Sequence, residues 1–133
     1  MDGDSVTFRV DGIPVPQGSK KGFVAGRRAV IVDDNKALLK PWREQIAKAA
    51  DLGVTFEGAV EVVAWFFLPR PKTVRRKYPT TVPDLDKLMR ALGDGMKDGG
   101  LVRDDSIIVN ENIKKRYADG REPGVDVTVR EVE

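Results

Sequence analysis

Val6, Phe8 and Val10 alternate with Thr7, Arg9 and Asp11, the two-residue period of a strand with one buried face. Gly12 to Lys21 reads as a loop, and Phe23 to Val32 carries β-forming residues on both sides of Gly26, which predicts a short hairpin. Leu38, Leu39, Trp42, Ile46, Ala49 and Ala50 recur at helical spacing. They predict a helix capped by Asn35 and ending near Gly53, with Pro41 in its first turn or at a kink. Val60 to Leu68 is apolar on both alternating sets, as expected for a central strand buried on both faces. Pro69 and Pro71 end it. With four prolines from Pro69 to Pro83 and no apolar period, residues 70–82 are expected to form a mobile basic loop.

A second helix starts at Asp84, buries Leu85, Leu88, Met89, Leu92 and Met96, and stops at Gly99 and Gly100. Beyond it the pattern gives a strand around Ile107 to Val109, another through Ile113 to Tyr117, and a turn at Asp119-Gly120. The last strand follows, with Val125, Val127 and Val129 alternating with polar residues. Strands and helices interleave without a regular βαβ beat. The expected class is therefore α+β: a single domain over residues 1–133, its mixed β-sheet packed by two main helices.

Composition narrows the chemistry more than the fold. The 133 residues are 41% apolar and 33% charged, enough for one packed core. The longest apolar run is too short to span a bilayer, and the acidic start Met1-Asp2-Gly3-Asp4 is unlike a signal peptide, so a soluble, cytoplasmic protein is expected. With neither cysteine nor histidine, disulfides, thiol nucleophiles, His-bound zinc and imidazole general bases are excluded.

The net charge of +2 hides a segregation: Arg70 to Val82 holds Arg70, Lys72, Arg75, Arg76 and Lys77 and no acid, leaving −3 for the rest. Lys20, Lys21, Arg27 and Arg28 form a second basic stretch, and Lys114, Lys115 and Arg116 a third. Such stretches either track nucleic-acid phosphates or are merely solvated loops.

The informative acids are Asp84 and Asp86 at the start of the second helix, with Asp104 and Asp105 beyond its glycine stop. An aspartate at a helix start caps free N–H groups and favours the helix dipole. That explains either residue alone. It does not explain a second acidic pair where the chain can fold back beside the same helix. Like charges at about 4 Å repel by roughly 4 kcal/mol at an effective dielectric near 20, so converging carboxylates call for a cation. An all-oxygen ligand set suits Mg²⁺ or Mn²⁺. Arg90, four residues after Asp86, either pairs with it or faces a phosphate.

The segment Asp84-Leu85-Asp86-Lys87-Leu88, the helix to Gly99-Gly100, and Asp104-Asp105 before Ile107-Ile108 resemble the RusA-type Holliday junction resolvases. Gly12-Ile13-Pro14-Val15-Pro16-Gln17-Gly18-Ser19-Lys20 and Pro41-Trp42-Arg43 look like the phage and prophage branch of that family. The resemblance implies a homodimeric, Mg²⁺-dependent endonuclease that cuts two opposed strands of a four-way DNA junction in a bacterial or phage-infected cell. It places Asp84, Asp86 and Asp105 on the essential acidic positions, with Asp104 beside the last. The family's catalytic lysine falls on Arg90. A guanidinium stabilises charge but does not shuttle a proton near neutral pH, so either charge stabilisation suffices or Lys87 substitutes. Lys20, Lys21, Arg75, Arg76, Lys77, Lys114 and Lys115 are the expected DNA contacts. Trp42, Trp65 and Phe67 are expected in the core, and Tyr78 either packs or stacks on a base. Two other readings stand beside this one: a non-catalytic DNA-binding accessory protein of recombination, and a related flap or fork nuclease.

Overall fold

The computed structural model describes residues 4–18 and 36–132; the expected Phe23–Val32 hairpin, the Asn35 cap, Lys20 and Lys21 lie outside them. In chain order the elements are β1 (Ser5–Asp11), α1 (Lys36–Ala50), β2 (Val60–Leu68), α2 (Leu85–Asp98), a 3-10 turn (Asp105–Ile107), β3 (Ile108–Tyr117) and β4 (Gly124–Glu131). The four strands form one sheet in the order β1-β4-β2-β3. β4 runs antiparallel to both β1 and β2, whereas β2 and β3 are parallel. The parallel pair is what makes the basic loop and α2 necessary, because a chain can return to the same edge of a sheet only through a crossover. This is the mixed, two-helix α+β arrangement that the periodicity predicts.

One core unites both helices with one face of the sheet: Trp42 and Ile46 of α1, Leu88, Leu92 and Met96 of α2, and Val62, Ala64, Phe66, Val125, Val127 and Val129 of the strands. Pro41 lies inside α1, past its first turn, and remains exposed. The loop after β1 is closed onto α1 at Gly12, which takes φ +128° under the Trp42 ring, where a side chain would be both strained and crowded.

Three expectations change. β2 is central, but its second face is buried only near Phe67, over which the Arg121 guanidinium lies; Trp65 is 38% exposed, outside the core. The two short strands expected between Ile107 and Tyr117 are one ten-residue strand. Its interior Asn110-Glu111-Asn112 breaks the apolar alternation because β3 is an edge strand whose neighbours are water on one face and a cleft on the other.

The basic loop has no helix or strand, yet it is tied down. Arg70 reaches Asp119 at 2.8 Å and the carbonyls of Val74 and Arg76, and Pro79 is buried. Among the described residues no helix is long and apolar enough to cross a membrane.

Candidate active site

α2 begins at Asp84, whose carbonyl accepts from the N–H groups of Lys87 and Leu88, both at 3.1 Å. Its side chain makes no capping bond. The carboxylate lies instead 3.5 Å from the Lys87 ammonium. The usual explanation for an aspartate at this place is therefore missing.

The approach to this helix start is fixed from two sides. The Gln17 N–H donates to the Lys87 carbonyl at 3.0 Å, and the Gln17 amide donates to Asp94 at 2.6 Å. Arg43 then clamps the same region through Asp98 at 2.7 Å. From the other side, the Lys115 ammonium donates to the carbonyls of Thr81 and Pro83, at 2.9 and 2.7 Å. Lys115 thus points inward, in register with Ile113 and Tyr117, and holds the backbone just ahead of Asp84. Its expected DNA contact gives way here to a tether.

After α2, Gly99 and Gly100 turn the chain back, and Phe56 bridges to it: its N–H donates to the Leu101 carbonyl and its carbonyl accepts from Arg103. The following residues run beside α2. The Cβ of Asp105 sits against Gly93, within 3.7 Å of where a side-chain carbon would begin. Asp86, Arg90 and Gly93 occupy one stripe of the helix. Together with Asp105 and Glu111 they line a cleft of about 260 Å³ floored by Met89 and Ile108. A larger groove of about 540 Å³, bounded by Leu39, Arg43, Ala47 and Asp98, is mostly apolar and does not include these acids.

The structure therefore brings Asp86, Arg90 and Asp105 to one cleft and leaves Asp84 and Lys87 paired at the helix start. Asp104 is turned elsewhere. Its carboxyl is held down to about 2, from 3.8, by the Ser106 hydroxyl and N–H and by the Lys97 ammonium at 3.2 Å. Because the folded value is depressed, this interaction stabilises the fold above about pH 4 and fades as the pH falls towards 2. Asp104→Asn should accordingly be less stable than the native chain in urea unfolding at neutral pH, with the difference shrinking below about pH 4.

Glu111 escaped the sequence reading. The signal was present: it shares the inward parity of Ile113, which appears only once β3 is read as one strand. Arg75, Arg76 and Lys77 are exposed on the loop, and neither they nor Lys114 has a carboxylate of the described residues within 4 Å.

Three carboxylates around one guanidinium leave the cleft formally negative, and every donor is oxygen. Such a site prefers a hard cation. Among the described residues, no three acids converge tightly enough to hold a metal by themselves. Asp86 and Gly93, which backs Asp105, are seven residues apart, about 10 Å along the axis. The arrangement suits an ion that keeps waters and takes a ligand from its substrate, the habit of Mg²⁺.

No curated protein matches the chain. A family model described as "Endodeoxyribonuclease RusA" matches residues 11–130, a span that takes in the Gln17 and Arg43 clamp, the whole of α2 and every wall of the cleft. The chain belongs to the RusA endodeoxyribonuclease family.

Proposed function

We propose that the protein is a metal-dependent, structure-specific endodeoxyribonuclease that resolves four-way DNA junctions by paired cuts, acting as a homodimer. One observation carries this reading: in a chain with no histidine or cysteine, Asp86, Arg90, Asp105 and Glu111 line a single cleft.

Asp86 and Asp105 would hold Mg²⁺ or Mn²⁺, with Asp84 one step away at the helix start; Asp104, committed to Lys97, is not part of the proposal. When bound, such an ion supplies Lewis-acid stabilisation of a phosphoryl oxygen and a more acidic water. Arg90 keeps a fixed positive charge facing the same oxygens, where charge develops during hydrolysis. Glu111, on the strand side, offers carboxylate oxygens to a water proton. Arg75, Arg76 and Lys77 track the phosphates of the flanking duplex, at a cost in affinity that grows with salt. A two-fold dimer would place two such clefts on one face, matching a junction whose opposed strands are related by a two-fold axis.

The test is cleavage of a synthetic four-way junction, a fork and a linear duplex in Mg²⁺, each repeated in EDTA, with the particle mass measured by sedimentation. Paired cuts confined to the junction, abolished by EDTA, from a particle of twice the chain mass are expected. Salt-sensitive binding with no cutting of any substrate would replace this reading with an accessory DNA-binding role. Preferential cutting of the fork would make the protein a fork nuclease.

A further inference from the structure

The face of the sheet away from the helices carries a patch that the cleft does not use. Trp65, 38% exposed, stands beside Lys114 in the register of β2 and β3. The Lys114 ammonium lies 5.2 Å from the Trp65 ring centre, and Phe67 stacks on Trp65 with centroids 6.4 Å apart. Arg116 joins strand to loop: its guanidinium is 5.7 Å from the Trp65 ring and 5.0 Å from the ring of Tyr78, itself 46% exposed. Lys77 stands over the other partner, 5.3 Å from Tyr78.

Cation–π pairs give each ring company, but they leave two large aromatic surfaces in water together with three cations. None of Lys77, Lys114 and Arg116 has a carboxylate of the described residues within 4 Å. A protein partner would need matching acids and a dry apolar surface. A nucleic acid brings both things this patch lacks: phosphates for the unpaired cations and flat π-faces for the rings. Stacking needs a base whose face is open, which a continuous duplex does not present.

We infer that Trp65 and Tyr78, bridged by Arg116, form a stacking site for unpaired DNA bases, with Lys77 and Lys114 taking the adjoining phosphates. The inference rests on the family's action on DNA and deepens the proposed function by naming the part of a branched substrate that this face receives. β3 is the sheet edge, so a single ligand can wrap from the cleft to the patch. The five residues from Glu111 to Arg116 span about 17 Å, less than the width of a duplex.

The site is tested by binding of oligo(dT) and of a blunt duplex in EDTA, so that the result is independent of cleavage. Trp65 is the exposed one of two tryptophans, Trp42 being 3% exposed, so oligo(dT) should quench the emission of the native chain and that of Trp65→Leu far less. Trp65→Leu is expected to weaken oligo(dT) binding at least about tenfold and duplex binding less than about twofold. Trp65→Tyr should restore most of it. Equal loss on both ligands, or unchanged oligo(dT) affinity, overturns the inference. So does conversion of a native dimer to monomer by Trp65→Leu with oligo(dT) binding intact, which would make the patch a contact between copies. A chain that binds oligo(dT) through Trp65 but cuts no junction would instead defeat the proposed function alone.

Discussion

Asp86→Asn is expected to slow DNA cutting on the order of a thousandfold while leaving junction affinity at least as high as that of the native chain. The rate follows from the place of the carboxylate, one helical turn from Arg90 on the wall that also holds Asp105 and Glu111. An ion held there is worth several kcal/mol of transition-state charge stabilisation, and each 1.36 kcal/mol is a factor of ten. The affinity follows from the sign of the charge. Removing an anion from a surface that meets phosphates does not weaken association, and the salt slope is set by cations elsewhere. Asp105→Asn should behave alike. Asp104→Asn is the internal comparison, since its carboxylate is turned to Lys97 and Ser106, and its cutting rate should stay within about twofold. Single-turnover rates and filter binding on one junction separate the outcomes. Parallel loss of rate and affinity in Asp86→Asn would mean that the residue supports the fold or the grip on DNA rather than the chemistry.

Gly99→Ala is expected to be the most damaging small substitution in the scaffold, costing about 3 kcal/mol and roughly 10 °C in Tm. The backbone of Gly99 is ordinary, with φ −84°, so no conformational strain is at issue. The cost is space. A Cβ there would fall 2.9 Å from the Ala47 Cα and closer still to its carbonyl oxygen, so α1 as a whole would have to move. At Gly95 the obstacle is instead the Ile46 side chain, with its γ2 methyl at 2.6 Å. A side chain can change rotamer where a backbone cannot, and alanine recovers some helix propensity, so Gly95→Ala should cost less. Thermal melts of the two variants give the ordering; a Gly99→Ala protein that melts with the native chain would show that the helices do not approach this closely. Because α2 carries Asp86 and Arg90, a displaced crossing also misaligns the cleft, and Gly99→Ala should lose activity well below its own melting point.

How much of this was legible in the sequence depended on how strongly each segment buries itself. α2 was readable from Leu88, Met89, Leu92 and Met96, because a helix that packs on a sheet repeats its apolar stripe regardless of context. β2 was readable as a strand, but its second face was not. Val63, Trp65 and Phe67 look like core residues until the register shows Lys114 and Arg116 beside them rather than another layer. β3 was split in two because its middle serves the cleft and the open face, and neither demands apolar residues.

Among the acids, the family pattern pointed to Asp86 and Asp105 together. It gave no means of seeing that Asp104 would be claimed by Lys97, since that depends on how the chain turns after Gly100. Lys115 shows the same limit in reverse. By composition it belongs to a basic cluster, and only its inward parity on β3 commits it to the carbonyls ahead of Asp84.

The strand order has a temporal corollary. β4, the last element to leave the ribosome, is the one that lies between β1 and β2 and pairs with both. Until it is synthesised, the first strand has no neighbour and the sheet that backs α2 has a gap at its middle. A chain that stalls or is clipped before Gly124 therefore contains Asp86, Arg90, Asp105 and Glu111 without a frame to align them. For an enzyme that breaks DNA in its own cell, that order of assembly is a safeguard: unfinished copies are inert.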